Sequence, residues 1–468
     1  MKKILLGLIL SGSLLVGCNR SAPKLLEGQV LPLDTAQVAM PKVQSWFLTP
    51  VLQQLIDSAV RQQPDYLSSV ASLQQARADL LARKYGLLPS LDVFAGRGLR
   101  RFSEYTMDGV GNFDTNFSPN IRPDQRMPNP LSDLQVNARL SWELDVWGRL
   151  SSLKRAAAKR YLASEAGLHW QKTVLVSEIA TTYYELRALN EIQNIVKQNE
   201  NLQSGGLTLV KIKLEAGRVT ALAVQQFEAQ LAETQAMYHA LEGDRLRAFN
   251  RLNLQMGYIS GKLTDSLMAT DSNFEAISFA GVPAKALLER PDIKAAALLL
   301  EATGADVKAA QAAFFPQIIL GPEIGFQSFN PAQWLSPATL AWNLVGGITA
   351  PVFARGNLRA DLKRAQVQQM QAFQAYRKVA LTAYTEILDA LQQDRQMALQ
   401  LEAKQRQVSS LKEAVKSSTE LFAAGYATYL EVVLAQNNVL VAEIELAQVR
   451  LQRRLNQVNL YRALGGGW

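Results

Sequence analysis

A chain of 468 residues, 48% of them hydrophobic, can make one large elongated body or about three ordinary domains, and its composition excludes a disordered polymer. The formal net charge of +8 is spread over helical stretches where Lys and Arg alternate with Glu and Asp, which marks a solvated helix surface and argues against nucleic acid as a partner. A single cysteine and two histidines, His169 and His239, exclude an internal disulfide, a His/Cys metal cluster and a cysteine-based triad.

Lys2 and Lys3 precede an apolar run from Ile4 to Val16. A bilayer span needs about 20 apolar residues, so this run reads instead as a secretory signal. It ends in Leu15-Val16-Gly17-Cys18, the pattern of a bacterial lipobox: small residues suit the peptidase, and the thiol can take a diacylglycerol. Residues 1–17 are then a signal peptide and residues 18–48 an acylated linker. Cys18 would carry covalent diacylglycerol and an N-acyl chain, with no other cofactor. Asn19 stands where Asp would hold a lipoprotein at the inner membrane, which favours outer-membrane sorting. Loss of Lys2 and Lys3 lowers the formal charge of +8 to +6.

The remainder is internally duplicated. Gln63-Pro64-Asp65 recurs as Arg290-Pro291-Asp292, and Leu88-Pro89-Ser90 as Phe315-Pro316-Gln317, both shifted by 227 (291 − 64, 316 − 89). Trp147-Gly148-Arg149 pairs with Arg355-Gly356-Asn357, and Ala216-Gly217-Arg218 with Ala424-Gly425-Tyr426, both shifted by 208 (356 − 148, 425 − 217). The 19-residue difference falls between Pro89 and Gly148, as a longer loop in the first half. The repeats are read as 49–260 and 284–468, joined by an inter-repeat segment at 261–283.

Between proline and glycine in each half the hydrophobic period changes from helical to two. Leu134, Val136, Ala138, Leu140, Trp142, Leu144 and Val146 alternate with Asp133, Gln135, Asn137, Arg139, Ser141, Glu143 and Asp145. The second-half counterpart is Leu340, Trp342, Leu344, Ile348, Ala350 and Val352, with weaker partners at Leu91-Val93-Ala95 and Ile318-Leu320-Ile324-Phe326. Strands are expected at about 90–101, 133–147, 317–329 and 339–352, joined by polar hairpin loops at 102–132 and 327–338. A soluble sheet with one core face and a membrane strand with lipid on one side give the same alternation. In lipid, four strands leave free edges and cannot close a barrel, so several chains would have to share one; the sequence does not choose between two and three.

Long helices fill the rest. Leu150 to Gln203 holds no proline, and Val176, Ile179, Tyr183, Leu186, Leu189, Ile192 and Val196 form a stripe at spacings of three and four; Ala221–Met256, Leu358–Lys416 and Tyr429–Leu464 are similar. About 55 residues at 1.5 Å each reach roughly 80 Å, enough to cross an aqueous compartment. Gly217 and Gly425 punctuate the returns, where positive φ favours glycine.

Four stretches together resemble the TolC/OprM family of outer-membrane efflux proteins, in its lipoprotein branch: Leu287-Leu288-Glu289-Arg290-Pro291-Asp292-Ile293, Ala312-Ala313-Phe314-Phe315-Pro316, Tyr429-Leu430-Glu431-Val432-Val433 and Ala463-Leu464-Gly465-Gly466-Gly467-Trp468. The resemblance covers about Trp46 to Trp468. It implies a homotrimer whose twelve strands form a β-barrel in the outer membrane, continued through the periplasm by a helical α-barrel of antiparallel coiled coils. It further implies a periplasmic adaptor, coupled to an inner-membrane pump of the resistance–nodulation–division type. Gly217, Arg218, Gly425 and Tyr426 would be the adaptor-contact tips; the plain alternative is that the glycines only end helices. The family closes its periplasmic end with inner helices of the second repeat, often through acidic rings, and Glu413 and Glu420 are the candidates here. A solvated surface glutamate is the competing reading for each. No nucleophile–base pair, phosphate loop or metal cluster argues for an enzyme. Passive conduction of drugs, small molecules or ions is the expected function, with a polypeptide-secretion duct and a non-conducting coiled-coil spacer as alternatives.

Overall fold

The computed structural model describes residues 49–259, 287 and 289–466. Helices α1 (Pro50–Gln62) and α2 (Pro64–Tyr85) lead into strand β1 (Ser90–Arg100); helix α3 (Met107–Asn116) and strand β2 (Leu131–Leu144) follow. Helices α4 (Arg149–Glu215) and α5 (Ala221–Gln255) complete the first repeat. The second runs through helix α6 (Pro291–Ala312), strands β3 (Gln317–Ser328) and β4 (Leu340–Thr349), and helices α7 (Asn357–Ala424) and α8 (Tyr429–Ala463).

The duplication holds at the level of elements. α2 and α6 have 22 residues each and α5 and α8 have 35 each, while α4 and α7 have 67 and 68. Proline opens α2 and α6 at the position where a missing N–H costs nothing. The return helices end alike too. Gly257 (φ 72°) lies against the Gln62 carbonyl and Pro64, and Gly465 (φ 89°) against Arg290 and Pro291; an added Cβ would come within 2.8 Å and 3.1 Å of those atoms. In each repeat, then, the glycine just past the return helix seats on the proline that opens the helix leading to the strands.

The strands form one antiparallel sheet in the order β1-β2-β3-β4, with Leu91 opposite Leu140, Val136 opposite Phe326 and Ile324 opposite Trp342. Among the described residues, β1 and β4 each keep one edge without a partner strand. The main core lies away from the sheet, where α1, α4, α5, α7 and α8 bring together Leu52, Ile56, Ile179, Tyr183, Leu252, Ile387 and Tyr461. Nearer the sheet, Ala156 and Ala163 of α4 and Ala302 and Ala309 of α6 are buried at seven-residue spacing, so small side chains let these helices approach closely. Among the described residues, no helix is long and apolar enough to cross a membrane.

Three expectations are corrected. The expected loop at 102–132 contains α3, whose first turn is capped by Thr106 Oγ1 accepting from Gly109 N at 3.2 Å. β2 stops at Leu144, because Asp145 turns away to receive the first amides of α4, and β4 stops at Thr349, ahead of Pro351, which cannot donate to a ladder. The long helices exceed the expected 55 residues by about a dozen and reach about 100 Å. The extra turns run through Gly205-Gly206 in α4 and to Gly425 in α7, because packing against neighbouring helices outweighs the low local propensity. The inter-repeat segment at 261–283 and Cys18 lie outside the described residues.

Candidate functional site

Strand register sorts the side chains of the sheet onto two faces. One carries Leu91, Val93, Ala95 and Leu99 of β1, Leu134 to Leu144 in alternation on β2, Ile318, Leu320, Ile324 and Phe326 of β3, and Leu340, Trp342, Leu344 and Ile348 of β4. Trp342 is 75% exposed, a state no soluble core explains. The opposite face carries Asp92, Asp133, Gln135, Asn137, Arg139, Glu143, Glu323, Gln327 and Asn343. There Asn137 donates to Glu323 at 3.0 Å, Arg139 pairs with Glu323 at 3.3 Å, and Gln327 donates to Asp133 at 3.1 Å. One face is thus built for hydrocarbon and the other for water.

The junction between sheet and helices is tied by charge. Gly148 (φ 73°) and Gly356 (φ 80°) turn the chain into α4 and α7. Asp145 accepts from Leu150 N at 2.8 Å and Ser151 N at 2.7 Å, and Arg149 grips Glu143 through both oxygens at 2.8 and 2.7 Å. Burial pushes the Asp145 carboxyl up, but the hydrogen bonds from Ser151 and Leu150, with the Arg149 charge, hold it below the ordinary range. Trp147 stacks on Phe315 at 4.9 Å and donates to the Pro316 carbonyl at 2.7 Å, which joins the two repeats.

At the far end, the two returns are superimposable in hydrogen bonding. Gly217 N reaches Leu214 O and Arg218 N reaches Lys213 O; Gly425 N reaches Phe422 O and Tyr426 N reaches Leu421 O. Both glycines have positive φ, 67° and 86°. Arg218 is exposed and Tyr426 is 85% exposed. The fold brings the two tips together: Lys213 Nζ donates to the Phe422 carbonyl at 2.5 Å and sits 4.1 Å from the Phe422 ring, above a cluster of Val210, Ala223, Phe227, Phe422 and Val432. A cation at the end of α7 also meets the negative pole of that helix. Glu413 and Glu420 are exposed on α7, on the side of the helix about 200° around from Leu411, which packs toward α8. Lys412 is the neighbour that pairs across, with Glu443 at 2.7 Å.

The outer membrane efflux protein family model matches residues 55–258 and again 282–466, once for each repeat. The chain belongs to the outer membrane efflux protein family. It is 29% identical to the pyoverdine export outer membrane protein OpmQ of Pseudomonas putida, over 97% of this chain and 95% of that one. It is 26% identical to the probable outer membrane lipoprotein SilC of Salmonella typhimurium, over 91% and 87%. The solved outer-membrane channel OprN superposes with a TM-score of 0.83 at 26% identity, covering 93% of this chain and 94% of that one.

Two features of this efflux protein escape sequence reasoning. Arg290, 2% exposed, donates to Asp292 at 2.8 and 3.0 Å, to Glu386 at 3.1 Å and to the Ala463 carbonyl at 2.6 Å, with its guanidinium 5.0 Å from the Trp170 ring. One side chain thereby holds α4, α6, α7 and α8; its motif was visible but not its reach. The second is a polar layer between the tip cluster and the apolar cluster of Ile192, Val196, Leu440 and Ala447. Asn199, Gln203, Gln230 and Gln436 are buried there, and Oδ1 of Asn199, Oε1 of Gln230 and Gln436, and both polar atoms of Gln203 lack protein partners. Their signal is the i, i+4 pair Asn199 and Gln203 continuing the apolar stripe beyond Val196.

Proposed function

We propose that three copies of this outer-membrane efflux protein join β1 of one to β4 of the next and close a twelve-strand barrel. The observation that carries this reading is the four-strand sheet with an apolar face and an unpaired ladder at each side. In hydrocarbon such edges would leave several kcal/mol per unpaired group, so the sheet must close with other copies. Below the barrel, the paired hairpins α4/α5 and α7/α8 continue as a helical tube about 100 Å long.

The assembly is a passive duct; its energy comes from an inner-membrane pump reached through a periplasmic adaptor. Tips Gly217, Arg218, Gly425 and Tyr426 form the adaptor face, supported by their exposure and by the lashing of one tip to the other through Lys213. Glu413 and Glu420 are the candidate gate carboxylates, supported by their place on the side of α7 that turns away from α8. Cys18 is the lipid anchor. The relative SilC is described as a probable lipoprotein, in keeping with that anchor.

Light scattering of detergent-purified protein, with conductance in planar bilayers, tests the reading. Three chains per particle and discrete conductance steps are expected. A detergent-free monodisperse monomer that conducts nothing would return the chain to the class of periplasmic spacers.

A further inference from the structure

The apolar face of the sheet carries one misplaced charge. Arg97 lies on it between Ala95 and Leu99, opposite Leu134 of β2. Its Nε donates to Ser132 Oγ at 3.2 Å, and neither terminal nitrogen meets an acceptor among the described residues. Other charges of the sheet stand on the polar face: Asp92, Arg100, Asp133, Arg139, Glu143 and Glu323. Barrel closure does not supply a counter-charge either. The strand next to β1 in a closed ring is β4 of a neighbouring copy, and residues 329–349, covering that strand and the loop before it, contain no Asp or Glu. A guanidinium cannot shed its proton, so it needs an anion from elsewhere.

Its depth identifies the source. The long helices α4 and α7, and α2 and α6 that lead into the strands, all meet the sheet at the end that holds Ser90, Leu144, Gln317 and Thr349, and the short α3 lies at the other, so Arg100 marks the outer end. Arg97 is three residues inside it, within about 10 Å along the strand. Its side chain can lay its methylenes on the apolar wall and lift its head to the interface. Beside it, Ser132 and Ser328 are both buried, and a cleft of about 400 Å³ opens at the rim between Ser132, Asp133, Ser328, Phe329 and Leu340, where the Asp133 carboxylate is engaged by Gln135 and Gln327.

We infer that Arg97, with Ser132, binds the phosphate of a phosphorylated lipid of the outer leaflet on the outside of the barrel. The two free guanidinium nitrogens match two phosphate oxygens in a planar fork, and the apolar wall below accepts the acyl chains. The inference rests on the trimeric membrane barrel proposed above.

Native mass spectrometry of intact detergent-purified trimers tests it, because the same spectra report assembly separately from lipid. Wild-type protein is titrated with bisphosphorylated lipid A and with the same lipid after phosphatase treatment. The phosphorylated form should bind about tenfold more tightly, the size of one charge-assisted contact. Arg97→Gln should abolish that preference while trimers persist, and Arg97→Lys should keep part of it. Excess inorganic phosphate should displace none of the lipid. Equal binding of both lipids by wild type overturns the site even if Arg97→Gln fails to assemble; so does a preference unchanged in Arg97→Gln, or full displacement by inorganic phosphate. Loss of the trimer in wild type would instead strike the barrel.

Discussion

Gly217 and Gly425 each hold positive φ with open space where a Cβ would stand, so replacing them strains the backbone without a clash. An alanine there should cost about 1 kcal/mol per site, and asparagine, which tolerates the left-handed region, less. If the tips meet the adaptor, Gly425→Asn and a bulky Gly425→Trp should assemble comparably, while drug-efflux assays show a deficit only for tryptophan. Equal loss of trimer and efflux in both would assign the glycines to folding alone. At Arg290 the cost is larger. Arg290→Met leaves Asp292 without its cation and Glu386 with only the longer Arg462 contact at 4.0 Å, and thermal unfolding of the trimer should reveal a loss of about 3 kcal/mol. A gentler case is Glu242, whose carboxyl the hydrogen bonds from Arg245 and Gln193 hold at about 2, against an ordinary 4.5. A depressed carboxylate stabilises above its unfolded pKa and loses that effect as pH falls from about 4.5 to about 2. Melting curves of Glu242→Gln should therefore lie below wild type at pH 7 and converge with it near pH 2.

Among the elements, strands were the most legible, because alternation in Asp133–Val146 and Leu340–Ile348 assigns each side chain to a face before any register is known. The two environments that could produce such alternation were not separable from pattern; the pairing of apolar faces across all four strands and the outer-membrane channel relatives separate them. Helix ends were less legible. Gly205-Gly206 looks like a stop, yet α4 runs on, since neighbours on both sides bury its continuation at Val210. The helix α3 was hidden by Gly109 and Gly111, residues that lower helix propensity by about 1 kcal/mol each. The buried amides of α4, α5 and α8 carry a prediction of their own. Gln203→Leu removes two buried polar atoms that lack protein partners and should raise the melting temperature, by about 1–3 kcal/mol of stability. If ordered water satisfies Gln203, stability will instead stay level or fall. Gly205→Ala should also stabilise α4 modestly, whereas Gly206→Ala meets the Phe227 ring at 2.8 Å and should not.

On the scale of the whole molecule, three chains must act as one. The sequence contains a single cysteine, Cys18, so a Cys18→Ala background gives a clean surface for engineered disulfides between β1 and β4 of neighbouring copies. Oxidation should link chains into closed rings of three, seen on denaturing gels as dimers and trimers with no longer ladder. The same Cys18→Ala protein should lack acyl chains by mass spectrometry yet still form the barrel, since strand insertion needs only the apolar belt; a wholly soluble, unassembled product would contradict that. The overall plan was readable because paired prolines and glycines repeat at constant offsets. Arg290's grip and the polar layer were not readable, because contacts between helices more than 100 positions apart leave no local period.

The clasp of Gly257 on Pro64, and of Gly465 on Pro291, has an architectural meaning. A repeat whose last turn lands where the helix leading to its strands begins is a staple, with a strand pair at one extremity and a hairpin tip at the other. Six such half-length staples, three of each kind or all alike, would outline the same cylinder as three full chains. The doubled polypeptide therefore gives the ring a choice that six identical units would lack: the two kinds of staple can differ in sequence, tip by tip and strand by strand.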